Sequence, residues 1–368
     1  MWQELGGLHT FDEIAQQPAL WRQLTAIVDA VRGPLDAFLG ERLDDSRQRV
    51  ILTGAGSSAF IGEIIAAELD STVAADVRAI ATTTLLTHPA LYLDPQVPTV
   101  LVSFARSGDS PESVAAVELV RAAVDDARFV HITCNAAGSL ATRTAPDTFT
   151  VLMPAASCDR GFAMTSSFTC MLLAALALLG RAGPHGSTQR LEQLAALGEQ
   201  ALAAWAEPAA ALGAERFERV VYLGSGPLQA LAKEAALKIL ELTGGAVMAM
   251  ADSPLGFRHG PKSALNSASL VLMFRSSGAL ARRYEADLLD ELQRDQVARR
   301  VLTVGAGANF HAEAPAWPDA WLAPLWLLLA QQFALQQSAT LRLTPDNPFA
   351  NGIVNRVVRG VTIHDRNA

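Results

Sequence analysis

The sequence predicts an α/β protein built from two tandem, doubly wound parallel-sheet domains. Three observations carry this. First, short unbroken apolar runs, Val50-Ile-Leu52, Thr99-Val-Leu-Val102, Val220-Val-Tyr-Leu223 and Val271-Leu-Met-Phe274, each end in a Gly or Ser-Gly turn. Strands that read as continuous Val/Leu/Ile runs, followed by helical patterns, belong to parallel sheets covered on both faces. Second, the landmarks repeat at one offset. Gly54, Gly56 and Gly108 return as Gly224, Gly226 and Gly278, each 170 residues later, and His131-Ile-Thr133 falls on Val301-Leu-Thr303. A fixed offset is the mark of a duplicated domain. Third, 368 residues with 50% hydrophobic and 18% charged side chains are enough for two large cores and exclude a disordered chain.

Taken in order, residues 1–45 read as an N-terminal helical segment. The first domain, over 46–205, runs strand, turn Thr53–Ser58, helix Ala59–Leu69, strand, turn Ser103–Ser110, helix Pro111–Ala123 with proline near its start, then a strand ending at Thr133. Residues 181–215 predict a bridging helix rather than a flexible linker. The second domain, over 206–368, repeats the plan with a helix over Gln229–Leu242 and closes on a tail. The most apolar stretches, Thr165–Leu179 and Trp321–Leu335, fall short of the roughly 18 residues of a spanning helix. Pro324 and Gln331-Gln332 interrupt the second, so both predict core or dimer helices.

The net charge of −8, without a basic run, argues against nucleic acid or an anionic membrane as partner. Cys134, Cys158 and Cys170 are an odd set without C-x-x-C spacing, which fits a reducing compartment and no structural zinc. Glu4, Asp12 and Glu13 break up the N-terminus, so no signal peptide is expected and the cytoplasm is the expected location.

An acidic protein that binds an anion needs a focused site, and the two loops supply one. Thr53-Gly-Ala-Gly-Ser-Ser58 and Ser103-Phe-Ala-Arg-Ser-Gly-Asp-Ser110 bring hydroxyls, backbone N–H groups and Arg106 to the ends of two strands, as a phosphate monoester requires. The first loop also fits the dinucleotide pattern G-x-G-x-x-A, but Val77–Thr84 holds no acid for a ribose. The bland alternative is a pair of tight strand–helix connections. In the second copy, Gly224-Ser-Gly-Pro227 has one hydroxyl and Arg275-Ser-Ser-Gly278 lacks the following Asp-Ser. The phosphate site is therefore expected in the N-terminal copy.

For chemistry, Glu234, Lys238 and Glu241 fall on one helical stripe at i, i+4 and i+7. They read either as a solvated Glu–Lys face or as a site among Ala, Leu and Ile. In Ser253-Pro-Leu-Gly-Phe-Arg-His-Gly-Pro-Lys-Ser263, two Gly and two Pro bracket Arg258 and His259, which leaves His259 either poised or a hydrogen-bonding surface histidine. The tail Pro345–Gly360 reads as an edge segment or as a lid over an anionic substrate.

Together these motifs resemble the sugar-isomerase (SIS) superfamily, with its flavodoxin-like domains. Ala105-Arg-Ser-Gly-Asp-Ser110 is similar to its Ser-x-Ser-Gly-x-Thr motif, with Ala and Ser at the outer positions. The two-domain plan resembles the isomerase half of glutamine–fructose-6-phosphate aminotransferase. Thr53–Ile61, Ser103–Ser113, Gly161–Phe168, Phe257–Lys262 and Asn355–Val358 look more narrowly like the tagatose-6-phosphate ketose/aldose isomerase group, regarded as galactosamine- or glucosamine-6-phosphate deaminases. The resemblance spans nearly the whole chain. It implies that Ser57, Ser58, Ser107 and Ser110 bind phosphate with Arg106 beside them, that Glu241 is the base and Lys238 its partner, and that His259 opens the sugar ring, often from the neighbouring subunit. Arg359 falls where aminotransferase relatives carry a tail lysine; a guanidinium stays protonated, which speaks against a Schiff base there.

The implied activity is an amino-sugar 6-phosphate deaminase/isomerase without cofactor or metal, a homodimer or larger with a shared site. Other readings are simple aldose/ketose 6-phosphate isomerisation, a fructosamine-6-phosphate deglycase, and a non-catalytic sugar-phosphate sensor. Residues 1–45 are too short and acidic for the DNA-binding module such a sensor would carry.

Overall fold

A computed structural model describes residues 1–181, 186–358 and 360–364. The chain opens with α1 (Leu8–Ala15) and α2 (Gln17–Leu39), then β1 (Arg49–Thr53), α3 (Ser57–Asp70), β2 (Asp76–Ala79) and α4 (Thr82–Thr87). It continues through β3 (Thr99–Ala105), α5 (Pro111–Ala123), β4 (Ala127–Thr133), α6 (Ser139–Thr142), β5 (Thr148–Leu152) and α7 (Ser166–Leu179). After α8 (Ser187–Ala214) come β6 (Arg219–Leu223), α9 (Pro227–Leu242), β7 (Met248–Asp252), α10 (Pro254–Phe257) and β8 (Ser269–Phe274). The last elements are α11 (Ala279–Asp295), β9 (Arg300–Val304) and α12 (Asp319–Thr340).

These elements gather into two compact units. The N-sheet unit comprises Leu20–Cys158, Ser166–Glu192 and Asn351–Ala368; the C-sheet unit comprises Met1–Ala19, Asp159–Thr165 and Gln193–Ala350.

The N-sheet is parallel throughout, in the order β2-β1-β3-β4-β5. Every residue of β3 is buried, as the continuous Val/Leu run predicts for a central parallel strand. One face packs Ile51, Leu101 and Phe129 against Val117 and Val120 of α5. All fourteen residues of α7 are buried, and it packs on α3. The chain reverses direction of growth between β1 and β3, the switch point at which ligands sit in doubly wound sheets.

The C-sheet is also parallel, in the order β7-β6-β8-β9. Its α12 is buried along nearly its whole length and packs on α9. The doubly wound parallel plan expected from the sequence is thus present in each unit. Among the described residues, no helix is long and apolar enough to cross a membrane.

The repeat is structural, at 170 residues for β1/β6 and β3/β8 but at 172 for β2/β7 and β4/β9, so the strand register matches His131 with Thr303 rather than with Val301. β1 maps onto β6, and the turns that follow share one backbone conformation: Gly56 has φ 56°, ψ −131°, and Gly226 has φ 55°, ψ −124°. That region is open to glycine alone. Gly54 and Gly224 are needed for a different reason, since a Cβ there would lie 2.5 Å from the Ser58 backbone and 2.2 Å from the Leu228 carbonyl oxygen.

The helical N-terminus divides between the units. Gly7 offers α1 no side-chain cap, and Asp346 fills that role from the other end of the chain. Its carboxylate accepts from the His9 and Thr10 N–H groups at 3.0 and 2.8 Å, and from the Thr10 hydroxyl at 2.7 Å.

Candidate active site

Both predicted phosphate loops belong to the N-sheet unit and leave neighbouring strands at the switch point, where Thr53 pairs in register with Ser103. α3 begins at Ser57, two residues earlier than the sequence predicts, so Ser57 and Ser58 form its first turn and are buried. Helix N-termini orient N–H groups outward, a setting that suits an anion. In the second loop, Arg106 is 7% exposed, Ser107 is half-buried, Gly108 takes φ 70° and Ser110 is the residue before α5. Asn135 Nδ2 donates to the Ser107 carbonyl at 2.8 Å. The Asp109 carboxylate accepts from both the N–H and the hydroxyl of Ser139 at 2.8 Å. Ser110 donates to Glu112 at 2.8 Å. The loop is therefore braced from α5, α6 and the end of β4 rather than loose.

Arg106 does something its sequence position did not reveal. Its Nη2 donates to the backbone carbonyl of Arg356 at 2.9 Å, tying the tail to the loop within the same unit. Beneath the loops, the hydroxyls of Thr53 and Ser103 are buried without hydrogen-bond partners among the described residues. The sequence counts both among the loop hydroxyls; their place within β1 and β3, otherwise apolar near their ends, sets them apart from the serines that follow. Arg359 lies outside the described residues.

The C-sheet unit carries the candidate catalytic groups. On α9, Glu234 and Lys238 are fully buried, and Glu241 is 20% exposed at its side chain. Lys238 Nζ lies 3.1 Å from Glu234 Oε1 and 2.6 Å from Glu241 Oε2. The solvated-face reading of this stripe is thereby excluded. Burial alone would push the Lys238 ammonium down, but the two carboxylates outweigh it and hold it above its ordinary range. Glu241 is the solvent-facing end of this triad.

His259 is exposed, just past α10, in a turn where Gly260 takes φ 120°. Its neighbours fix the turn. The Ser253 hydroxyl caps α10 through the Gly256 N–H at 3.0 Å. Arg258 pairs with Glu291 at 2.8 Å, while Lys262 pairs with Glu291 and, at 2.7 Å, with Asp295, both on α11. Among the described residues no ion pair or hydrogen bond joins His259 to Glu241. The structure thus brings Lys238 and Glu241 together, brings the four serines and Arg106 to adjoining loops, and sets His259 on a braced turn.

Comparison with known proteins follows this geometry. The SIS domain family matches residues 43–181. D-galactosamine-6-phosphate deaminase AgaS of Escherichia coli is 45% identical over 370 residues, covering 97% of this chain and 96% of the relative. The AgaS protein of the same description from Shewanella sp. (strain ANA-3) is 41% identical over 366 residues, covering 98% and 93%. Among solved structures, tagatose-6-phosphate ketose/aldose isomerase from Escherichia coli superposes with TM-score 0.88 at 40% identity, covering 97% of each chain. Likeness at this level along the whole length establishes that the chain belongs to the AgaS family of SIS-domain enzymes.

Proposed function

We propose that the protein converts an amino-sugar 6-phosphate, galactosamine 6-phosphate first, into the ketose 6-phosphate and ammonia. The substrate class comes from the AgaS relatives; the observation that carries the chemistry is the Lys238–Glu241 pair, buried on one side and open to solvent on the other. In this reading Ser57, Ser58, Ser107 and Ser110 hold the phosphate, and binding energy from that remote group orients the reacting carbons. His259 moves a proton between the ring oxygen and O1 to open the pyranose. Glu241 takes the proton from C2 and returns it to C1, while O1 gains a proton and the C2 nitrogen loses one, leaving a C2 imine beside a C1 hydroxymethyl. Water adds to C2, ammonia leaves, and the ketose remains. Lys238 holds the Glu241 carboxyl in place through their 2.6 Å contact.

A second reading, plain aldose/ketose isomerisation, is favoured by the description of the Escherichia coli structure. The two share a carbon skeleton, because removing the C2 nitrogen from a galacto-configured aldose yields tagatose 6-phosphate. The test is ammonia release from galactosamine 6-phosphate and glucosamine 6-phosphate in parallel, with tagatose 6-phosphate isomerisation as comparator. Galactosamine 6-phosphate is expected to turn over fastest, and Glu241→Gln to lower kcat by about 10³-fold or more. Full activity of E241Q would rule out the assigned base; isomerisation without ammonia release would favour the second reading.

A further inference from the structure

The C-sheet unit keeps counterparts of both phosphate loops, and their donors are already engaged. Glu285 of α11 is fully buried. Its carboxylate accepts from the Ser225 hydroxyl at 2.9 Å, from Arg275 Nε at 3.0 Å and from the Ser276 N–H at 3.2 Å. Asp319, the first residue of α12, accepts from the Ser277 N–H at 2.6 Å and from the Ser276 hydroxyl. A guanidinium, two hydroxyls and two consecutive backbone N–H groups converging from two strand ends make up the donor set of an oxyanion site.

The offset shows what differs in the other copy. Along β8 the offset of 170 residues holds, so Arg275 corresponds to Ala105; on the helix that follows, the buried positions Glu285, Leu288, Leu289 and Leu292 match Ser113, Ala116, Val117 and Val120, so Glu285 corresponds to Ser113 on α5. The copy with hydroxyl-rich loops has a small serine at the position where the other copy has a carboxylate. We propose that the C-terminal copy is an anion cradle occupied by the chain's own carboxylates, with Glu285 standing where a phosphate would otherwise be held. The arrangement has a physical reason. The Arg275 side chain is 16% exposed, and leaving it and the loop N–H groups without an anion would cost the desolvation of each. A built-in carboxylate satisfies them at no loss of translational freedom and denies the place to free phosphate.

The test is thermal unfolding in inorganic phosphate against chloride at matched ionic strength. Glu285→Ala is expected to lower Tm in chloride and to regain it in phosphate, with a saturable rise of about 5 °C beyond that of the unmodified protein. Glu285→Gln keeps the place filled, so it should lose stability without that gain. Should Glu285→Ala fail to fold in chloride, refolding in phosphate is expected to recover it; aggregation in both buffers counts against the proposal, as does a phosphate response equal to that of the unmodified protein. The reverse exchange, Ser113→Glu, rests on the phosphate role of the N-terminal loops and should abolish the unmodified protein's own response to phosphate; a response kept in full would overturn the proposal. No phosphate response in the unmodified protein would defeat that role alone, and the Glu285→Ala result would still decide this one.

Discussion

Lys238 is one buried ammonium shared by two carboxylates, and its removal would take from the buried Glu234 the cation 3.1 Å away. Lys238→Met is expected to cost about 3–5 kcal/mol, read as a lower urea midpoint at unchanged m, and combining it with Glu234→Gln should return much of the loss. Glu13 is the second residue with a measurable consequence. Its carboxylate accepts from the backbone N–H groups of Arg160 and Gly161, yet burial, with Asp159 and Asp346 adding to it, pushes it up to about 7. An acid raised in the folded state is held more firmly as its protonated form, so its contribution improves as pH falls from about 7 towards 4.5 and is least favourable above 7. Glu13→Gln should therefore stabilise by about 2–3 kcal/mol at pH 8 and by little at pH 5, measured by urea unfolding at both. The Lys238–Glu241 pair was legible in the sequence because helical spacing is local. Glu13 was not, because its hydrogen-bond partners lie 147 and 148 residues away.

At the scale of elements, the strand–turn–helix connections are the rigid parts. Gly224→Ala would force a Cβ to within 2.2 Å of the Leu228 carbonyl and displace the start of α9, the helix that carries Glu241. A loss of about 2 kcal/mol or more is expected in the urea midpoint, with a fall in turnover alongside it. The turn around His259 behaves differently, since its anchors are half-exposed ion pairs worth at most about 1 kcal/mol each. Glu291→Ala takes this partner from Arg258 and leaves Lys262 held by Asp295. It should leave Tm within a few degrees while lowering kcat several-fold more than it changes KM, if the turn serves to aim the imidazole. The turn was readable from its Gly and Pro punctuation. The carboxylates that brace it were not, because α11 looks in sequence like any charged surface helix.

For the molecule as a whole, the repeat at a single offset was enough to foresee two parallel sheets, since strand, turn and helix recur together. Interleaving of the units was out of reach of a linear reading. Nothing near Gly7 announces that α1 packs on α12 or that Asp346 will cap it. Deleting residues 1–19 is expected to destabilise the C-sheet unit although both sheets stay intact in sequence, seen as a lower Tm and earlier proteolysis within 193–350. The capping also orders events in time. On the ribosome, the first turn of α1 waits 336 to 337 residues for Asp346, whereas Glu13 in the same helix can meet the Arg160 and Gly161 N–H groups after 147 and 148. A nascent chain stalled before Asp346 leaves the first turn of α1 uncapped, an open end that chaperones can hold.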